Sequence, residues 1–245
     1  MKNFNRYKRI KLIVGNSMNS HSSLNTVLKN MKHIIEGKSL NCRQEKIHDY
    51  LNTAHTLFLT WSGKFTFSRI NSMMSDAVMD MIKNFIPEGN NGSWDNIQRS
   101  GITNSNSSLL KNRLLYLVNY RYKNMIPNIK DVVNRLTRLY STNAYGHIKG
   151  MSIFFCTAVL SANDNTNFMV INQPVREYFG LGNNIKWLNN YNNVIQESQK
   201  LSHLYNLDMW YINKAYGIWK NNGRIKIWNL GGKFLYLGPR CEVKL

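Results

Sequence analysis

The sequence predicts a mainly α-helical protein that ends in a small β-hairpin. Three observations carry that expectation. Apolar residues recur at helical spacing through several stretches between residues 24 and 140. Residues 153–162 are apolar almost without interruption, as in a helix packed on all sides. Near the end, RIKIWNL and KFLYLG alternate in character on either side of Gly231-Gly232, which is a two-strand hairpin signal. A chain of 245 residues can close a real core in one large domain or two small ones. The expected division is an N-terminal helical region over 1–88, a loop or linker over 89–108, a second helical domain over 109–220 and the hairpin over 221–245.

In order along the chain, residues 24–36 place Leu24, Val27, Leu28, Met31 and Ile34 or Ile35 on one face, with Gly37 as the stop. Residues 45–59 form a second helix. Asn71 or Ser72 is expected to cap a third, whose stripe is Met74, Val78, Met81, Ile82 and Phe85 and which Pro87-Glu88-Gly89 ends. Gly89 to Ser108 has loop composition, with Trp94 inside it. Residues 109–124 read as one helix with an apolar stripe at Leu110, Leu114, Leu117 and Val118. Basic and tyrosine residues flank that stripe. Asn128 caps a helix over 129–140, from which Arg135 and Arg138 point away. Helices from about Trp187 to Leu204 and on to Trp219 precede the hairpin, which is expected to dock on the helical body.

Composition narrows the partners. With 43% hydrophobic and 18% charged residues the chain is globular rather than disordered. Lys and Arg number 32 against 13 Asp and Glu, a net charge of +19 spread along the chain. Such a field attracts DNA, RNA or an anionic membrane surface, and an inert basic surface is the bland alternative. No stretch reaches the roughly 18 apolar residues of a membrane span. The start, MKNFNRYKRIKLIVG, has an apolar run too short for a secretory signal; an organelle address and a DNA-contacting arm fit it equally. Cys42, Cys156 and Cys241 are odd in number and far apart, so neither a disulfide framework nor a metal site is expected. No cofactor motif appears, and the expected location is the cytoplasm or nucleoid, with an organelle not excluded.

The stretch 146–180 organises the rest. Gly150-Met151-Ser152 makes a turn before the apolar helix, a polar loop runs from Asn163 to Asn167, and Phe168 to Ile171 lead to Asn172 and Pro174, which open another helix. A helix start of this kind leaves N–H groups at a positive dipole end where a phosphate can sit. This arrangement resembles the helix-hairpin-helix DNA glycosylase superfamily of the endonuclease III type. There, a Gly-hydrophobic-Gly hairpin starts an apolar helix and a short loop delivers a catalytic Asp. The resemblance implies a helix-hairpin-helix, glycosylase-like fold over 109–220 and contact with DNA. Three positions depart from the pattern: Asn172 stands at the Asp position, Phe154 at the Lys position of the bifunctional members, and Ser152 at the second hairpin Gly. A likeness of Asp208 and Trp210 to a closing helix in uncharacterised relatives is weaker.

The expected nucleic-acid contacts are therefore His147, Lys149, Gly150, Met151, Ser152 and Asn172, supplemented by Lys111, Arg113, Arg121 and Lys123 on the 109–124 helix. Asn172 cannot supply the negative charge that a glycosylase needs beside the sugar. If the protein is an enzyme, Lys149, Asp164 and Glu177 are the available groups. The leading expectation is a non-catalytic DNA binder of a repair or defence system, with a protein partner left open. The second is a base-lesion glycosylase with a rearranged site. The third is an RNA-binding or assembly protein with a basic surface.

Overall fold

The structure, a computed structural model, describes residues 23–88, 101–140, 148–182, 185–221, 225–228 and 234–237. His147, Trp94, Cys241 and the basic start of the chain lie outside these residues. The protein is mainly helical, and the C-terminal hairpin is present as a two-stranded antiparallel ribbon.

Helix α1 (Leu24–Glu36) begins where Ser23 accepts the Thr26 N–H and ends at Gly37, whose φ of 69° is left-handed. Leu24, Val27, Leu28 and Met31 are buried, and Ile34 rather than Ile35 completes the buried stripe. Helix α2 (Cys42–Leu59) starts earlier than the periodicity suggests. Asn41 and Gln44 cap each other's backbone N–H at 3.0 Å, a reciprocal box that fixes the first turn. Asn71 and Ser72 do not cap the next long helix. They close a short helix, α3 (Phe67–Ser72), which Thr66 caps, and α4 (Ser75–Glu88) starts beyond them. Val78, Ile82 and Phe85 are buried as expected, but Met74 is 79% exposed and Met79 is buried instead.

Residues 101–103 form a helical turn with Ile102 fully buried, and Ser107 and Ser108 bond to Asp76 and Ser75 on α4. Helix α5 (Ser107–Val118) ends six residues before the expected boundary at 124. Tyr120 turns into the core, and a small ribbon follows: β1 (Tyr122–Lys123) pairs antiparallel with β2 (Ile126–Pro127). Pro127 disfavours helical geometry at Ile126, which suits the second strand. Helix α6 (Ile129–Tyr140) is capped by Asn128, as expected.

Helix α7 (Ile153–Asn163) is buried nearly all round, and α8 (Gln173–Tyr178) starts at Asn172. A 3₁₀ segment over Ile185–Asn190 takes up the first turn of the helix expected from Trp187, and α9 (Tyr191–Tyr205) follows it. Helix α10 (Met209–Lys220) is capped by Asp208, whose Oδ1 accepts the N–H groups of Trp210 and Tyr211. Strands β3 (Ile225–Trp228) and β4 (Phe234–Leu237) pair in the register Ile225 to Leu237 through Trp228 to Phe234.

One hydrophobic cluster runs from Leu24 on α1 to Tyr216 on α10. Helix α1 packs on α2, α9 and α10, and the His55 ring of α2 lies 4.5 Å from that of Tyr211 on α10, tilted by 48°. The described parts of 1–88 and 109–220 therefore share a core. Helix α6 packs on α5, α7 and α9, which sets the two helices flanking the 148–152 turn against each other.

Candidate nucleic-acid interface

The turn before α7 is tight. The Met151 N–H bonds to the Ile148 carbonyl at 3.1 Å, and the Ser152 N–H bonds to the Gly150 carbonyl at 2.7 Å. Gly150 makes this possible with φ 88°, a region that side-chain-bearing residues rarely adopt. Ser152 then caps α7 by accepting the Phe155 N–H at 3.2 Å. Ile148 and Met151 are buried and Lys149 between them is exposed, so the turn is anchored on two apolar pegs and lifts one cation to the surface. Two of the N–H groups expected to face a phosphate, those of Met151 and Ser152, are used inside the turn. The Ile153 N–H has no hydrogen-bond partner among the described residues. A second backbone braces the turn: a Cβ at Gly101 would lie 2.4 Å from the Lys149 carbonyl oxygen.

The loop that carries Asn172 is held by buried polar bonds. Thr157, fully buried on α7, donates to the Ile153 carbonyl at 2.8 Å and accepts the Ile171 N–H at 3.0 Å. Tyr191 donates to the Met169 carbonyl at 2.8 Å, and Asn213 of α10 donates to the Val170 carbonyl at 2.8 Å. Burial pushes the Tyr191 hydroxyl well above the ordinary tyrosine range, which keeps it a donor. Asn172 itself caps α8 by accepting the Val175 N–H at 3.1 Å, and its Nδ2 donates to Asn213 Oδ1 at 3.1 Å. These bonds join α8, α10 and the 168–171 run. Asn172 is thus a structural junction, and sequence reasoning found its cap but not its partner on α10.

The two carboxylates nominated for chemistry are both engaged. Asp164 closes its own loop, accepting the N–H groups of Thr166 and Asn167 on one oxygen and the Asn167 amide on the other at 2.8 Å. Glu177 accepts Gln173 at 2.8 Å and pairs with Lys220 of α10 at 2.9 Å. Cys156 is a buried core thiol, pushed by burial up to about 12. Among the described residues no group of three or more His, Cys, Asp or Glu is placed to hold a metal ion.

The four basic residues assigned to one helix separate into two sets. Lys111 donates to the carbonyls of Asn71 and Met73, so it caps the end of α3 rather than facing a phosphate. Arg113 is half-buried on the same helix and has interactions of its own. Arg121 and Lys123 are exposed on the β1–β2 ribbon, not on a helix. Arg135, expected to point away, is instead half-buried: it donates to Asp131 at 3.0 Å and to the Tyr116 carbonyl at 2.7 Å. Comparison of the chain with protein-family models, with curated proteins and with solved structures gave no match.

Proposed function

We propose that the protein binds duplex DNA through its phosphate backbone and does not cut or excise. The observation that carries this reading is the 148–152 turn, where an exposed lysine stands on a glycine-enabled bend at the N-terminus of a buried helix. With Lys149 beside the Gly150 bend and the Ile153 N–H, that end of α7 suits one phosphate oxygen cluster. The net charge of +19 supports it, because each neutralised phosphate releases counterions and adds affinity. The engagement of Asp164 and Glu177 in local bonds, with an amide at position 172, supports a protein that holds DNA rather than one that stabilises a sugar cation. This agrees with the resemblance drawn from residues 146–180, which implies DNA contact more strongly than chemistry.

The test is a binding curve on a labelled duplex, run beside an assay for base release and strand cleavage. Gly150→Asp puts a negative charge in the seat and is expected to abolish binding. Gly150→Asn carries the same backbone strain without the charge, and is expected to keep most of it. If Gly150→Asp binds like the parent, the seat is elsewhere. Base release from a damaged duplex by the parent protein overturns the non-catalytic reading.

A further inference from the structure

The β1–β2 ribbon is the most unusual part of the described surface. Three large apolar side chains are exposed on it: Tyr122 at 59%, Met125 at 92% and Ile126 at 62%. Tyr122 is opposite Pro127 and Lys123 opposite Ile126, so Tyr122 and Ile126 lie on opposite faces of the ribbon. The Tyr122–Pro127 face leans on the body, where Pro127 is buried and Tyr122 donates to the Tyr120 hydroxyl at 3.3 Å, whereas the Lys123–Ile126 face and the tip are open. Its two-residue loop, Asn124 and Met125, has φ of 53° and 64°. This is the left-handed pair of a tight hairpin turn, for which Asn-Gly is the ordinary choice. Methionine at the second position adds strain and places an apolar side chain at the tip.

The base of the ribbon is as well braced as its tip is bare. The Asn128 N–H bonds to the Arg121 carbonyl at 2.8 Å and the Arg121 N–H to Asp131 Oδ2 at 2.9 Å. Pro127 and Tyr120 are buried, the latter edge-on to Phe168 at 5.2 Å. Burial works against the charge on Asp131, but the Arg121 N–H and Arg135 outweigh it and hold the carboxyl below the usual range. The brace therefore stays ionised at neutral pH. Around this stalk stand Arg121, Lys123 and, in the first turn of α6, Lys130, all exposed; Arg121 also favours the charge on nearby Asp131.

We infer that the ribbon is a wedge that enters a base step of duplex DNA, with Met125 and Ile126 between the bases and Arg121, Lys123 and Lys130 on the flanking phosphates. Apolar side chains held among cations are what unstacking a duplex requires, and a braced stalk loses little order on insertion. An anionic membrane would attract the same cations, but membrane attachment through a surface element scales with a long apolar face, and three side chains on a short ribbon do not make one. The inference rests on the DNA-binding reading above.

The full chain is titrated onto a duplex containing 2-aminopurine, whose fluorescence rises when it unstacks. The parent protein is expected to raise it at saturation. Met125→Ala with Ile126→Ala is expected to lose the rise and weaken binding roughly 5- to 150-fold, on the scale of losing one base-stacking contact. Met125→Gly, which suits the backbone better, is expected to lose most of the rise with its melting temperature unchanged or higher. Salt-dependent binding by the parent without any rise overturns the wedge and leaves the DNA-binding reading intact. Absence of duplex binding overturns both. Unchanged fluorescence in the double variant overturns the assignment to these residues. Binding to phosphatidylserine vesicles that the double variant loses, with no rise on the duplex, transfers the ribbon to a membrane role.

Discussion

Gly101→Ala tests how the candidate seat is built, because the structure predicts an effect opposite in sign to the usual one. Gly101 sits in a helical turn, where Gly to Ala normally stabilises by about 0.4–1 kcal/mol through the unfolded chain. Here an added Cβ would meet the Lys149 carbonyl oxygen at 2.4 Å and its carbon at 2.8 Å. Both are backbone atoms of the 148–152 turn, so no side chain can swing aside. Relief to an ordinary contact requires the two backbones to part by roughly 1 Å, against a carbon–oxygen contact near 3.4 Å. Overpacking of this kind costs about 1–3 kcal/mol, which outweighs the propensity gain. Urea unfolding should therefore show a lower midpoint with an unchanged slope. The shifted turn should also weaken duplex binding more than the loss of stability explains at saturating native protein. A midpoint equal to or above that of the parent would show that residue 101 does not brace the turn, and would refute the argument for a preset seat.

Two further predictions concern the interior. Thr157→Val keeps shape but leaves the buried Ile171 N–H without its acceptor, and is expected to cost about 1–3 kcal/mol in urea melts and to speed exchange of the Ile171 amide. A loss below about 0.5 kcal/mol contradicts that role. Lys214, packed 4.8 Å over the Trp210 ring, is lowered by burial from 10.5 to about 8. Between those values the unfolded chain binds more protons than the folded one, so this group makes stability rise from about pH 8 towards about 10.5. Lys214→Met is expected to raise stability at pH 7 and to remove that rise in melts taken across the range. An unaltered profile contradicts it.

Legibility in the sequence followed the range of the interaction. The apolar run of α7, the Asn128 cap of α6 and the start of α8 at Asn172 depend on neighbours close in the chain and were readable. Ser152 and Asp208 were expected in other roles and cap α7 and α10 in the structure. The C-terminal hairpin was readable from its alternation around Gly231-Gly232. The β1–β2 ribbon was not, because Arg121 to Lys123 continue a helical mixture of basic and aromatic residues. Only Pro127 and the turn-prone Asn124 argued otherwise. Side-chain roles that span the fold were hidden. Nothing near Lys111 in the chain announces the carbonyls of Asn71 and Met73, and nothing near Glu177 announces Lys220. The contact of Gly101 with Lys149 likewise joins segments remote in sequence, and it made a presumed linker residue part of the site's support.

A phosphate contact at the 148–152 turn should show in the salt dependence of duplex binding. The logarithm of the binding constant, plotted against the logarithm of salt concentration, should fall on a straight line for the parent. Lys149→Ala should reduce its slope by about 0.9, the value for one phosphate on duplex DNA. A parent protein with no slope, or a Lys149→Ala line that coincides with it, would contradict the account.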